Sequence, residues 1–193
     1  MDAQVRLVVG LGNPGSQYEH TRHNAGADFV TALAERHGAS FKKESKFSGE
    51  TARINLHGQD LRLLRPSTFM NLSGKAVGPM ANFYNIPPEA ILVAHDELDI
   101  EPGKARLKIG GGHGGHNGLK DIIKALGNNK NFARLRLGVG HPGHASEVVS
   151  YVLRRAPQAE QQLIEDSISA ALEITPELSE GQWNKAMKAL HTK

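Results

Sequence analysis

Two residues of this chain are placed to do acid–base work: His23, in "TRHNAG" just ahead of a helical stripe, and Asp96, which closes the apolar run "ILVA" in "VAHDELD". A histidine acts as a base near neutral pH only while unprotonated. A carboxylate that accepts its second ring N–H fixes the tautomer and strengthens that basicity. Asp96 reaches His23 if the strand it ends runs beside the first strand of the chain. Taken singly, either residue could instead cap a helix or shape a turn. No GxSxG elbow is present, and Ser73 in "NLSGKAV" reads as the N-cap of the helix that follows. A histidine base with no nucleophile to activate acts on water.

Other constellations compete for attention. The stretch "VVGLGNPGSQYEHTRHNAG" (residues 8–26) carries Gly10, Gly12 and Gly15 at the spacing of a dinucleotide fingerprint. It departs from one in three ways. Pro14 and the polar run 16–24 separate the glycines from the helical stripe, "FKKESKFSG" and a hairpin stand where a parallel strand ending in an acid should follow about 20 residues on, and the loop holds Asn13, Tyr18, His23 and Asn24, which a backbone cradle does not need. A turn that brings Asn13 and His23 together at the end of the first strand is the better reading. His113 and His116, or His141 and His144, stand three apart, but outside a helix that spacing guarantees no metal site, and neither a cysteine nor an acidic cluster completes a shell. The glycines of "GGGHGGHNG" let the backbone approach a ligand closely, while His116 and Asn117 offer a ring and an amide.

The elements that must position these residues follow from periodicity. Val5 to Leu11 reads as a buried strand. Ala25, Phe29, Ala32 and Leu33 mark a helix face ending at Gly38, and residues 47–65 form a hairpin turning at His57-Gly58-Gln59. Ser73 to Tyr84 is helical, Ile91 to Ala94 a strand, Arg106 to Ile109 another, Leu119 to Leu126 a helix and Arg134 to Val139 a last strand. Helices over 157–178 and 182–190 close the chain, the first with an apolar stripe of Leu163, Ile164, Ile168, Ala171 and Leu172 that reads as packing. The expectation is one α/β domain over residues 1–193, with a mixed, twisted central sheet covered by helices on both faces.

Composition bounds the function. The chain has 193 residues, 39% apolar and 22% charged, with 21 glycines, 9 prolines and no cysteine, which excludes disulfides, thiolate metal sites and a cysteine nucleophile. No apolar run is long enough to span a membrane and the N-terminus lacks a signal-peptide pattern, so a cytoplasmic protein is expected. The net charge of +3 is unevenly spread. Residues 102–140 hold Lys104, Arg106, Lys108, Lys120, Lys124, Lys130, Arg134 and Arg136 against Asp121 alone, whereas 156–182 carry six acids and no base. The basic stretch is either a solvated face or a surface for an anion.

In this order, "GLGNPG", "YEHTRHNAG", "TFMNLSGKAV", "VAHDELD", "GGGHGGHNGLKDI" and "RLRLGVGHPG" resemble the bacterial peptidyl-tRNA hydrolase family over essentially the whole chain. The resemblance implies a monomeric, cytoplasmic α/β enzyme. It would cleave the ester joining a peptide to the 3′ ribose of tRNA, recycling tRNA from abandoned translation, without metal or organic cofactor. It makes His23 the base that activates water and Asp96 its orienting partner. Asn13 would contact the peptide beside the ester, and Asn71 and Asn117 would bind the peptide backbone and scissile end, with Phe69, Met70 and His116 lining the cleft. Tyr18 would pack near the acceptor end, and Lys108 and Arg136 would clamp the tRNA 5′-phosphate. Relatives often carry basic residues after "GHPG"; here "HASEVVSY" has none, which leaves that part of the tRNA contact open. A non-catalytic RNA-binding module using the basic middle is the other reading, and the two part at His23.

Overall fold

The computed structural model describes residues 3–193. Seven strands form one mixed sheet: β1 (Leu7–Gly10), β2 (Lys42–Glu44), β3 (Gly49–Leu56), β4 (Gln59–Pro66), β5 (Ile91–Glu97), β6 (Ala105–Ile109) and β7 (Ala133–Gly138), in spatial order β2-β3-β4-β1-β5-β7-β6. β1 runs parallel to β4 and β5, and β5 parallel to β7, while β2, β3 and β4 form an antiparallel meander and β6 an antiparallel edge. The helices are α1 (Ala25–Arg36), α2 (Gly74–Phe83), α3 (Asn117–Ala125), α4 (Val148–Val152), α5 (Gln158–Glu173), α6 (Thr175–Ser179) and α7 (Trp183–His191).

The expected mixed sheet with helices on both faces is what forms, and the central strands explain why. Side chains alternate across a strand, so a strand covered on both faces reads as an unbroken apolar run. In β1, Leu7 and Val9 join a core with Val77 and Met80 of α2 and Leu119 and Ile122 of α3. Val8 points the other way, into a core with Phe29 of α1, Ile164 of α5 and Trp183 of α7. β5 divides likewise, Ile91 and Val93 to the first core and Leu92 and Ala94 to the second. Because β1 and β5 are parallel neighbours in the register Gly10 opposite Ala94, their carboxyl ends open on the same edge of the sheet.

Two of the three glycines that mimic a fingerprint, Gly10 and Gly12, serve packing, and Gly15 makes a turn at φ 106°. A Cβ on Gly10 would strike the Gly26 carbonyl and Val30, and one on Gly26 would strike the Ala94 carbonyl, so the first turn of α1 presses directly onto β1 and β5. Gly12 is similarly closed off by Asn24 and Ala27.

Four local expectations change. Ser73 precedes α2 but does not cap it: its helical backbone (φ −57°, ψ −27°) turns Oγ back, and the hydroxyl donates to the Met70 carbonyl at 2.7 Å. The Gly74 N–H is instead met at 2.7 Å by the Asp121 carboxylate of α3. The helix expected over 157–178 breaks at Ile174, where Pro176, lacking an N–H, begins α6 more readily than it would continue α5. Leu163 of its stripe is 45% exposed, whereas Ile164, Ile168, Ala171 and Leu172 are buried. β2 and α4 are additions: β2 is the polar triplet Lys-Lys-Glu at a sheet edge, where lysines are favoured and no apolar alternation is required.

Candidate active site

The cleft lies beyond the carboxyl ends of β1 and β5, where open α/β sheets place their ligands. Its volume is about 360 Å³. His23 stands in the turn Arg22–Asn24 that enters α1, and Asp96 next to the end of β5. The two meet: Nδ1 of His23 lies 2.9 Å and 3.0 Å from the two oxygens of Asp96. Asp96 Oδ1 also lies 2.8 Å from Nε2 of His116.

The partners decide the tautomers. His116 is the N-cap of α3, and its Nδ1 accepts the N–H groups of Gly118 at 3.1 Å and Leu119 at 3.3 Å. Its proton therefore sits on Nε2 and is donated to Asp96. An ionised Asp96 accepts from His23 as well, so Nδ1 of His23 is the protonated nitrogen and Nε2 is left with a free lone pair. His95, buried beside them, donates its Nδ1–H to the Asp96 carbonyl at 2.8 Å.

Charge follows the same geometry. Burial works against an ionised Asp96, but the two histidines outweigh it and hold the carboxyl far below the usual carboxylate range. Burial alone would lower the His23 pKa, yet the charge and hydrogen bond of Asp96 raise it above 6.5. His95 is pushed down to about 3, chiefly by burial and by the neighbouring His116, and stays neutral.

His23, Asp96 and His116 offer three donor atoms within 4.8 Å of one another. They fit a metal poorly, because His116 Nδ1 is spent on α3 and a metal at Nε2 would require the ring to give up its remaining proton. The loop histidines make turns: His113 Nδ1 accepts the Gly115 N–H at 3.0 Å and His141 Nδ1 the Gly143 N–H at 2.9 Å.

Asn13, Phe69, Met70, Asn71, His116 and Asn117 all line the cleft with His23 and Asp96. Asn13 is tied down from both sides. Its backbone exchanges two hydrogen bonds with the Asn24 side chain, at 2.8 Å and 2.9 Å, and its Oδ1 accepts the Met70 N–H at 2.7 Å, which leaves Nδ2 to face a ligand. Tyr18 lies outside the lining, edge-on to the exposed Phe69 ring at 6.3 Å. Lys108 and Arg136 sit on neighbouring strands; the register sets Lys108 opposite Arg134 and Arg136 opposite Arg106, so all four point to one face of the sheet.

Sequence reasoning missed two supports. Asn24 is visible in "TRHNAG", but its bonds to Asn13 close a loop that no spacing announces. Val148, Val149, Val152 and Leu153, on and next to α4, form an apolar wall of the cleft, signalled only by the run "VVSYVL".

The chain matches the family model described as peptidyl-tRNA hydrolase over residues 7–193. It is 60% identical to a peptidyl-tRNA hydrolase of Saccharophagus degradans, covering 100% of this chain and 98% of the relative, and 61% identical to one of Yersinia pestis, covering 98% and 96%. The crystal structure of peptidyl-tRNA hydrolase from Acinetobacter baumannii superimposes with a TM-score of 0.94 at 52% identity, over 97% of this chain and 94% of that one. Among the described residues, no helix is long and apolar enough to cross a membrane. From the sheet to the cleft at its edge, the chain belongs to the peptidyl-tRNA hydrolase family.

Proposed function

We propose that this chain hydrolyses the ester between a peptide, or an N-acylated amino acid, and the 3′ ribose of tRNA, and that it does so as a cytoplasmic monomer with one domain over residues 1–193. The observation that carries the reading is the Asp96 carboxylate that orients His23 with Nε2 free in the cleft. Nε2 takes a proton from water as the water oxygen attacks the ester carbonyl. Asp96 stabilises the imidazolium, which then returns the proton to the departing ribose oxygen. The products are the free acid and tRNA.

Asn13 donates through Nδ2 to the peptide beside the ester, and Asn71 and Asn117 bind the peptide backbone and the scissile end. A neutral amide both donates and accepts, so these residues hold a backbone of any sequence. Phe69, Met70 and His116 shape the cleft, Tyr18 packs near the acceptor end, and Lys108 and Arg136 hold the 5′-phosphate. No metal or organic cofactor takes part, consistent with the tautomer pinned on His116. Incubation of the purified protein with N-acetyl-aminoacyl-tRNA tests the proposal. Release of the N-acetyl amino acid by the unmodified chain and its loss in His23→Ala are expected; tRNA binding without release would leave an RNA-binding module.

A further inference from the structure

Arg134 is 2% exposed, carries a charge, and has no part in the chemistry just described. Its guanidinium is used inward. One terminal nitrogen donates to the Gly112 carbonyl at 2.6 Å, and the other to the carbonyls of Gly111 at 2.6 Å and Lys130 at 3.1 Å, with the group lying over the Phe132 ring at 4.2 Å. Phe132 is fully buried beside Leu119 and Ile122 of α3. The fork thus joins three carbonyls of two loops to the floor beneath α3.

The loop it holds has little else to define it. Gly110, Gly111, Gly114 and Gly115 all adopt positive φ, between 57° and 108°. Glycines lose the most conformational freedom on ordering, so such a loop resists being fixed. Its own bonds leave Gly111 and Gly112 untouched: Gly110 N–H goes to the Phe132 carbonyl at 3.0 Å, Gly115 N–H to Nδ1 of His113 at 3.0 Å, and His116 N–H to the His113 carbonyl at 2.9 Å. Among the described residues, Arg134 supplies the side-chain bonds to Gly111 and Gly112. The loop leads directly into His116, which spends one ring nitrogen on α3 and the other on Asp96.

We propose that Arg134 is a positioning residue that fastens the glycine-rich loop 110–115 and thereby seats His116 against Asp96. The inference rests on reading His23, Asp96 and His116 as the reacting site. It assigns this cation of the basic stretch to the active-site loop and not to tRNA. Lysine is no substitute, since an ammonium is a point charge and cannot reproduce a planar fork across consecutive carbonyls.

The test uses Arg134→Lys in the full chain, with Arg134→Gln, which keeps two N–H donors without charge, as the second variant if the first folds poorly. Three quantities are read at a temperature well below unfolding: kcat and KM on N-acetyl-aminoacyl-tRNA, the salt dependence of tRNA binding, and the imidazole N–H resonance of His116. A misplaced group of the site costs up to about 100-fold, so kcat is expected to fall about 10- to 100-fold with KM within about threefold. The Nε2–H resonance of His116 should broaden through faster exchange with water while the salt dependence stays unchanged. Gly112 has open space where a Cβ would stand. Adding Gly112→Ala to Arg134→Lys should restrict the loop and recover about two- to fivefold in kcat. Lower thermal stability with kcat and the His116 resonance unchanged would overturn the proposal, as would a raised KM and shallower salt dependence with kcat intact, which would make Arg134 a phosphate ligand. Full activity of His23→Ala would instead bring down the site reading, independently of the His116 resonance.

Discussion

Nδ1 of His23 lies 2.9 Å from Asp96 across 73 residues of chain, and the same carboxylate receives the Nε2–H of His116. Asp96 is therefore a two-histidine acceptor, buried and fully used. His23→Ala removes the proposed base and should lower kcat by about 10²- to 10⁴-fold with little change in fold. Asp96→Asn should cost less, but at least about tenfold, because an amide oxygen cannot replace two carboxylate oxygens and its N–H₂ opposes a histidine N–H. Single-turnover rates and circular dichroism of both variants check this; equal rates for His23→Ala and the unmodified chain would sink the mechanism.

The His23–Asp96 pair gives activity and stability opposite dependences on pH. His23 must be neutral to act, and its pKa is raised above 6.5 because Asp96 outweighs burial. The acid limb of kcat/KM should therefore have its midpoint above 6.5. The stability His23 contributes as a cation is full below 6.5 and lost as pH rises through the raised value. Thermal melts between pH 6 and 9 should accordingly show a decline that His23→Gln lacks. Asp96, with its pKa depressed, contributes stability above the ordinary carboxylate range that is lost as pH falls.

Substrate choice should depend on Asn13. Its Oδ1 is occupied by the Met70 N–H, so the side chain presents a donor. A free aminoacyl-tRNA brings an ammonium that must be desolvated against that donor, and should be spared. Asn13→Ala should narrow the preference for the N-acetylated substrate by about 2- to 12-fold, the worth of one hydrogen bond. Asn13→Asp, which keeps the acceptor for Met70 and loses the donor, should raise KM. An unchanged ratio of kcat/KM values would move discrimination to Asn71 or Asn117.

The proposed phosphate clamp of Lys108 and Arg136 predicts a shallow salt dependence. Each neutralised phosphate contributes about 0.7 to 0.9 to the slope of log affinity against log salt, and about two to four phosphates are expected. Lys108→Ala or Arg136→Ala should each lower the slope by about one and act mainly on KM, since the phosphate is held alike in ground and transition states. tRNA lacking its 5′-phosphate should mimic both variants and add little to them. Full additivity of mutation and dephosphorylation excludes the clamp.

Chelation should be silent. With the His116 tautomer pinned by Gly118 and Leu119, dialysis against EDTA is expected to leave kcat unchanged. Loss of activity that zinc restores would count against the hydrogen-bonded reading of the three residues.

The amino-acid sequence by itself determined the sheet's central strands and the flanking helices, and it made the meeting of His23 with Asp96 conditional on the first strand and the strand at 91–94 being neighbours, which the structure supplies. Unbroken apolar runs at 7–11 and 91–94, rich in β-branched residues, read as strands covered on both faces. Periodicity is a local quantity, and these features are written in it. Only the tertiary structure decided the rest. The Ser73 hydroxyl turned back to Met70 while Asp121 capped α2 from another helix; Asn24 locked Asn13; Pro176 divided one expected helix into two. Arg134 looked like one cation among eight in the basic stretch, yet it is buried on three carbonyls whereas Lys108, directly opposite it on the neighbouring strand, stays in solvent. A hydrogen-bonding side chain has several partners within reach of its own sequence neighbourhood and many more in space, and which it takes depends on the relative placement of whole elements.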